Sequence, residues 1–209
     1  MNAPATQKGG LRKKIFPITS STKMDEGKPI YYRGYKDVLK GAKTPEQIIG
    51  SSSLQSLLVS LIIKFIIQHC DEEFLPLASE LGFIFGKKTW RSLDVALYRK
   101  SVIEAGGLPF DNHYTQTPPE IVIEIDTKAE LSELPGIDSY FYRKTQQLLD
   151  AGVQKVICIY TSPRKLMVAT QGETWLTDDW GKNKAIPLGI LLNIQQLVVP
   201  FENQKKVNI

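Results

Sequence analysis

Pro118-Pro119-Glu120-Ile121-Val122-Ile123-Glu124-Ile125-Asp126 is the stretch on which the fold turns. Its β-branched residues are consecutive rather than alternating, the pattern of a strand covered on both faces and therefore central in a sheet. Downstream, Pro135-Gly136 is a turn, 138–151 reads as a helix, and Gly152 is its stop. Residues 153–160 read as a second buried strand, and 165–170 with 173–177 as a hairpin around Gln171-Gly172. The apolar segment 189–199 has no decisive period.

Upstream lies a long loop, 99–119, holding Gly106, Gly107, Pro109, Pro118 and Pro119. Before it, 93–98 alternates as a strand. Residues 74–79 and 81–85 form a hairpin or one bent strand, closed by Gly86-Lys87-Lys88. Thr44-Pro45-Glu46-Gln47 is a helix start with a capping box. After Gly50 the chain restarts at Ser53, where Leu54, Leu57, Leu58, Leu61, Ile62, Phe65 and Ile66 recur at three and four, a core-facing helix to about Cys70. The order is helix, two or three strands, loop, strand, helix, strand, hairpin: a mixed α/β (α+β) sheet with helices over it. No G-x-G-x-x-G, phosphate loop or G-x-S-x-G elbow is present.

With 209 residues, 42% apolar and 23% charged, the chain has the balance of one folded domain with appendages. The expected division is a basic N-terminal arm, 1–28, and a single domain, 29–209. The first 40 residues carry nine Lys/Arg against three acids, which suits a polyanion such as DNA. The two cysteines, Cys70 and Cys158, make no disulfide framework or zinc spacing and point to a reducing compartment. The start lacks a secretory core, and the apolar run 54–67 is short for a bilayer and contains Lys64. A soluble, cytoplasmic protein with no membrane partner is expected.

Two carboxylates sit where apolar residues belong: Asp94 within 93–98 and Glu124 within 121–126. Burying a carboxylate costs several kcal/mol unless it is compensated. A hard cation such as Mg²⁺ (or Mn²⁺) is one compensation, held by carboxylates and water and able to activate water for attack on a phosphate. The alternative is a surface ion pair for each acid. Asp126, two residues beyond Glu124, falls on the same face by the period of two, as a further ligand or as the strand's polar end. Glu80 is a possible third carboxylate or a hairpin-turn acid. His113, in the long loop, could assist proton transfer or simply be exposed.

The order of three segments, Ser92-Leu93-Asp94-Val95-Ala96-Leu97, Pro118 to Ile125, and Ala151-Gly152-Val153-Gln154-Lys155-Val156-Ile157, resembles the PD-(D/E)XK nuclease superfamily and, more narrowly, its Uma-two family of restriction-endonuclease-like proteins. The likeness runs from about Tyr31 to Val199. It implies a restriction-endonuclease-like core with extra β elements, metal-dependent hydrolysis of DNA, and Asp94 and Glu124 as metal ligands. The superfamily's Lys two residues after the Glu is replaced here by Asp126. The family that this chain resembles carries the Lys on the next helix, eight residues before the Gly, which implies Lys144 as the group that orients water and stabilises the phosphate. Lys128, four after Glu124, is the competitor. The resemblance also allows a homodimer, since many members pair to cut two strands. The altered motif keeps open a non-cutting module that binds nucleic acid or protein. A metal enzyme acting on a small phosphorylated molecule is a third reading.

Overall fold

The computed structural model describes residues 21–25, 27–70, 72–109, 111–126 and 137–202. In chain order, β1 (Ser21–Asp25) and β2 (Lys28–Tyr31) precede α1 (Tyr35–Leu39), α2 (Glu46–Ile49) and α3 (Ser53–Cys70). Then come β3 (Phe74–Gly86), β4 (Thr89–Arg99), the short α4 (Lys100–Glu104) and β5 (Ile121–Ile125). They are followed by α5 (Ile137–Asp150), β6 (Lys155–Tyr160), β7 (Lys165–Thr170), β8 (Leu176–Asp179), β9 (Lys184–Ala185), β10 (Leu191–Leu192) and α6 (Ile194–Glu202).

The stretch around Glu124 is central, as its composition requires: all five residues of β5 are buried. β5 pairs antiparallel with β4 through Val95–Ile123, Ala96–Val122 and Leu97–Ile121, and parallel with β6 on its other edge. Parallel neighbours need a crossover of a dozen or more residues, and α5 lies within it. The eight-stranded sheet runs β2-β1-β4-β5-β6-β7-β8, with β3 along the opposite edge of β4. β9 and β10 form a separate two-stranded ribbon.

One face of the sheet is covered by α3 and α6. Leu58, Ile62, Ile66 and Cys70 repeat every fourth residue and are buried against Val95, Leu97, Ile121 and Ile123. Each such Leu or Ile contributes roughly 1.5–3 kcal/mol by leaving water. α3 spans 18 residues, longer than the apolar run in the sequence suggests, and by length and composition alone it could cross a membrane. Its every-fourth-residue face is instead packed on strands. The other face of the sheet is covered by α5, whose Tyr140, Phe141, Leu148 and Leu149 pack on Ala96, Val122, Val156 and Cys158. α5 ends where expected, with Gly152 at φ +102.

The structure corrects several boundaries. β1 and β2, which begin within the segment expected as an arm, form a hairpin joined to the sheet by Met24 opposite Trp90. Neither strand shows alternation, and β1 draws its place from the free edge of β4 beyond the end of β5. Residues 1–20 lie outside the described residues. The hairpin reading of 74–85 gives way to one bent strand. The expected loop 99–119 contains α4, the hairpin's second strand shifts to Leu176–Asp179, and the unassigned tail supplies β10 and α6. Of the expected Thr44 capping box one half forms: the Thr44 amide donates to Gln47 Oε1 at 2.9 Å, while the helix starts from Pro45 with no side-chain cap.

The bend in β3 lies beside Asp94. Ala78 faces Val95 and Leu81 faces Leu93, so Ser79 and Glu80 together oppose the single residue Asp94. Such a bulge bends the strand and re-aims side chains. Ser79 and Glu80 adopt φ +70 and +58, the left-handed region that costs a non-glycine residue about 1–2 kcal/mol. Ser79→Gly is expected to raise stability by about 1 kcal/mol, read as a higher urea midpoint; an unchanged or lower midpoint would show the position unstrained.

Candidate active site

The antiparallel register of β4 and β5, extended by one step from Val95–Ile123, sets Asp94 directly opposite Glu124. Directly opposed residues on neighbouring strands share a face, with Cβ atoms about 4.5–5.5 Å apart. Glu124 has the parity of Val122, which packs under α5, so the pair lies on the α5 side of the sheet. The backbone amide of Ile125 donates to Asp94 Oδ2 at 2.8 Å and fixes that carboxylate against the end of β5.

Lys144 reaches down from α5. Its Nζ is 2.6 Å from Glu124 Oε2, with 3% and 2% of the two side chains exposed. The ion pair satisfies one carboxylate oxygen. The other, Glu124 Oε1, is buried and has no hydrogen-bond partner among the described residues. A buried carboxylate oxygen with an unused lone pair is costly and invites an electropositive ligand. Next along the sheet, Cys158 lies opposite Glu124 on β6, its Sγ 3.5 Å from Thr145 Oγ1. Burial pushes its thiol up to about 12, with Glu124 and Asp94 adding to the rise, so it stays protonated and packs as a small apolar group.

Gln55, in the first turn of α3, belongs to the same cluster. It is 8% exposed, and its Nε2 lies 3.5 Å from each Asp94 oxygen. A lone glutamine before an apolar helical run carries no motif; its burial is the signal, and only the fold shows it.

The remaining sequence candidates are elsewhere. Asp126 does not share the face of Glu124. β5 ends at Ile125, Asp126 turns to φ +52, and its carboxylate accepts from the Thr161 amide at 2.8 Å and from the Thr161 hydroxyl. The period of two fails there because the backbone leaves the extended region. Glu80 is exposed in the bulge rather than in a hairpin turn. His113 is exposed and pairs with Asp111 at 2.9 Å, an interaction that holds the Asp111 carboxyl below its ordinary range. Lys128 lies outside the described residues. Among the described residues, no three His, Cys, Asp or Glu side chains gather into a metal-binding group. The pair Asp94 and Glu124 therefore stands by itself. Its donors nonetheless suit Mg²⁺, which is commonly held by one or two carboxylates and completed by water and phosphate oxygens.

A cavity of about 500 Å³ opens beside this cluster, lined by Gln55, Asp126, Arg33 and Lys43 among others.

No family model and no curated protein matches the chain. Among solved structures, it is similar to a "putative nuclease belonging to DUF820" from Anabaena variabilis, at 15% identity and a TM-score of 0.60, covering 86% of this chain and 90% of that one. The chain thus shares the fold of that protein, a mixed α/β sheet flanked by helices, and carries two opposed carboxylates and a buried lysine at its centre.

Proposed function

We propose that the protein is a Mg²⁺- or Mn²⁺-dependent endonuclease of the PD-(D/E)XK type that hydrolyses phosphodiester bonds in DNA. The observation that carries this reading is the buried Glu124 Oε1, without a hydrogen-bond partner among the described residues, lying across the strand pair from Asp94, with Lys144 on the other Glu124 oxygen. In this reading Asp94 and Glu124 hold the metal. When bound, the ion supplies Lewis acidity to a phosphoryl oxygen and lowers the pKa of water. Lys144 offers a cationic donor fixed by Glu124, placed to orient the attacking water and to balance charge on the phosphate. Gln55 and the Ile125 amide keep Asp94 in position. The fold similarity to a protein described as a putative nuclease supports this reading. The superfamily's lysine two residues after the Glu is absent, and Lys144 takes its place from α5.

The test is incubation of the full chain with plasmid and single-stranded oligonucleotides in Mg²⁺, Mn²⁺ or EDTA. Nicking that requires the metal is expected. Binding without cleavage under every metal condition would overturn the nuclease reading in favour of a non-cutting nucleic-acid module. Metal-dependent release of phosphate from small esters, insensitive to salt, would favour a small phosphorylated substrate. A cytoplasmic setting and assembly as a homodimer belong to the same proposal.

A further inference from the structure

The cavity lined by Gln55 and Asp126 has a second one beside it. Ile48 of α2 lines both. The second cavity, about 310 Å³, is walled by Tyr31, Tyr32, Tyr35, Val38 and Ile49. Tyr31 and Tyr35 are stacked with ring centroids 4.5 Å apart, and Lys36 Nζ lies 5.9 Å from the Tyr35 ring centre. Residues 33–43 carry four cations, Arg33, Lys36, Lys40 and Lys43, against the single acid Asp37. Asp37 is paired with Lys43 at 2.9 Å. Between them the two cavities present the Gln55 amide and Asp126 carboxylate, the cations Arg33 and Lys43, and the tyrosine rings.

Those linings match the parts of one nucleotide. The reacting phosphate would lie by Asp94, the next sugar-phosphate by Arg33 and Lys43, and the base against the tyrosines. Aromatic rings bind bases by stacking whatever their identity, and basic grooves track the backbone. A base can enter a side cavity only when it is not held in a helix, so a duplex would have to unpair one base, at a cost of a few kcal/mol. We infer that the substrate is taken as an unpaired strand (a single strand, flap or mismatch) with one base seated in the Tyr31–Tyr35 cavity and its phosphates on Arg33 and Lys43. This rests on the nuclease reading for its orientation but not for its binding chemistry.

The experiment is equilibrium fluorescence anisotropy of the full chain with a labelled 20-mer, single-stranded or as a duplex, in EDTA, so that no cleavage is needed. The single strand is expected to bind at least about tenfold more tightly than the duplex. Tyr35→Ala is expected to remove about tenfold of single-strand affinity, as loss of one stacked base does, and Tyr35→Phe to retain it. Lys43→Gln, an exposed substitution, is expected to reduce the slope of log K against log salt by about 0.7. Equal affinity for the two DNA forms would overturn the inference. So would a folded Tyr35→Ala that binds as the parent does, or an unchanged salt slope in Lys43→Gln. Single-strand preference without any metal-dependent cleavage would keep the inference and end the nuclease reading. Metal-dependent cleavage with no strand preference would do the reverse.

Discussion

Lys144→Met is expected to lower the free energy of unfolding by about 3–5 kcal/mol, the usual cost of removing one partner from a buried ion pair. Met matches the length of the lysine stem, so packing under α5 is retained and the loss is electrostatic. It arises because Glu124, 2% exposed, keeps a carboxylate whose one oxygen already lacks a partner among the described residues and whose other oxygen then loses its cation. Adding Glu124→Gln to Lys144→Met should therefore recover most of that loss, since a neutral amide needs no counter-charge. Urea unfolding of the parent, both single variants and the double variant in EDTA measures the coupling directly. A Lys144→Met midpoint equal to the parent's, or losses that simply add, would show that the pair is not buried as described. All three variants are expected to be inactive, so stability and activity separate cleanly in the double variant.

Asp94→Asn is expected to leave the fold intact and to lower metal-dependent cleavage by about a hundredfold or more, beyond the range for a residue that only orients a ligand. The amide oxygen of Asn can still accept from the Ile125 N–H, now 2.8 Å from Asp94 Oδ2, so β4 and β5 stay pinned. What is lost is a negative charge and a hard anionic donor, which Mg²⁺ and Mn²⁺ require. A stability change within about 1 kcal/mol is expected, the scale of one hydrogen bond. Manganese binding followed by electron paramagnetic resonance supplies a readout besides activity, and the bound fraction should fall in the variant. Parent-like cleavage and Mn²⁺ binding in Asp94→Asn would remove Asp94 from the metal site.

These two substitutions bear on different halves of one cluster. Asp94 is held by a backbone amide from the neighbouring strand and faces Gln55 of α3, whereas Glu124 is held by Lys144 of α5. Helices from both faces of the sheet thus meet at one pair of opposed strand residues. At the end of β5, Asp126 turns away to Thr161.

The sequence by itself determined the elements whose signal is local. The run at three and four from Leu54 made α3, and the unbroken β-branched run made β5 central. Gly152 ended α5, and the order of these elements made the sheet mixed. Asp94 and Glu124 were legible for the same reason, because a carboxylate inside an apolar strand demands a compensating partner. Lys144 was named only through the spacing that the resembled family uses; its 2.6 Å approach to Glu124 is a fact of how α5 lies on the sheet. Tertiary structure alone decided what depends on register and on distant partners. The Ser79–Glu80 bulge exists because β3 carries one residue more than β4 opposite Asp94, a count no single segment contains. Asp126 looked away because its backbone left the strand to meet Thr161, 35 residues on. β1 formed on an edge that β5 is too short to cover, and Gln55 gained a role only when α3 brought it to a strand 39 residues further along. Local propensity writes the elements; the pairing of strands and the seating of helices on them decide which side chains meet.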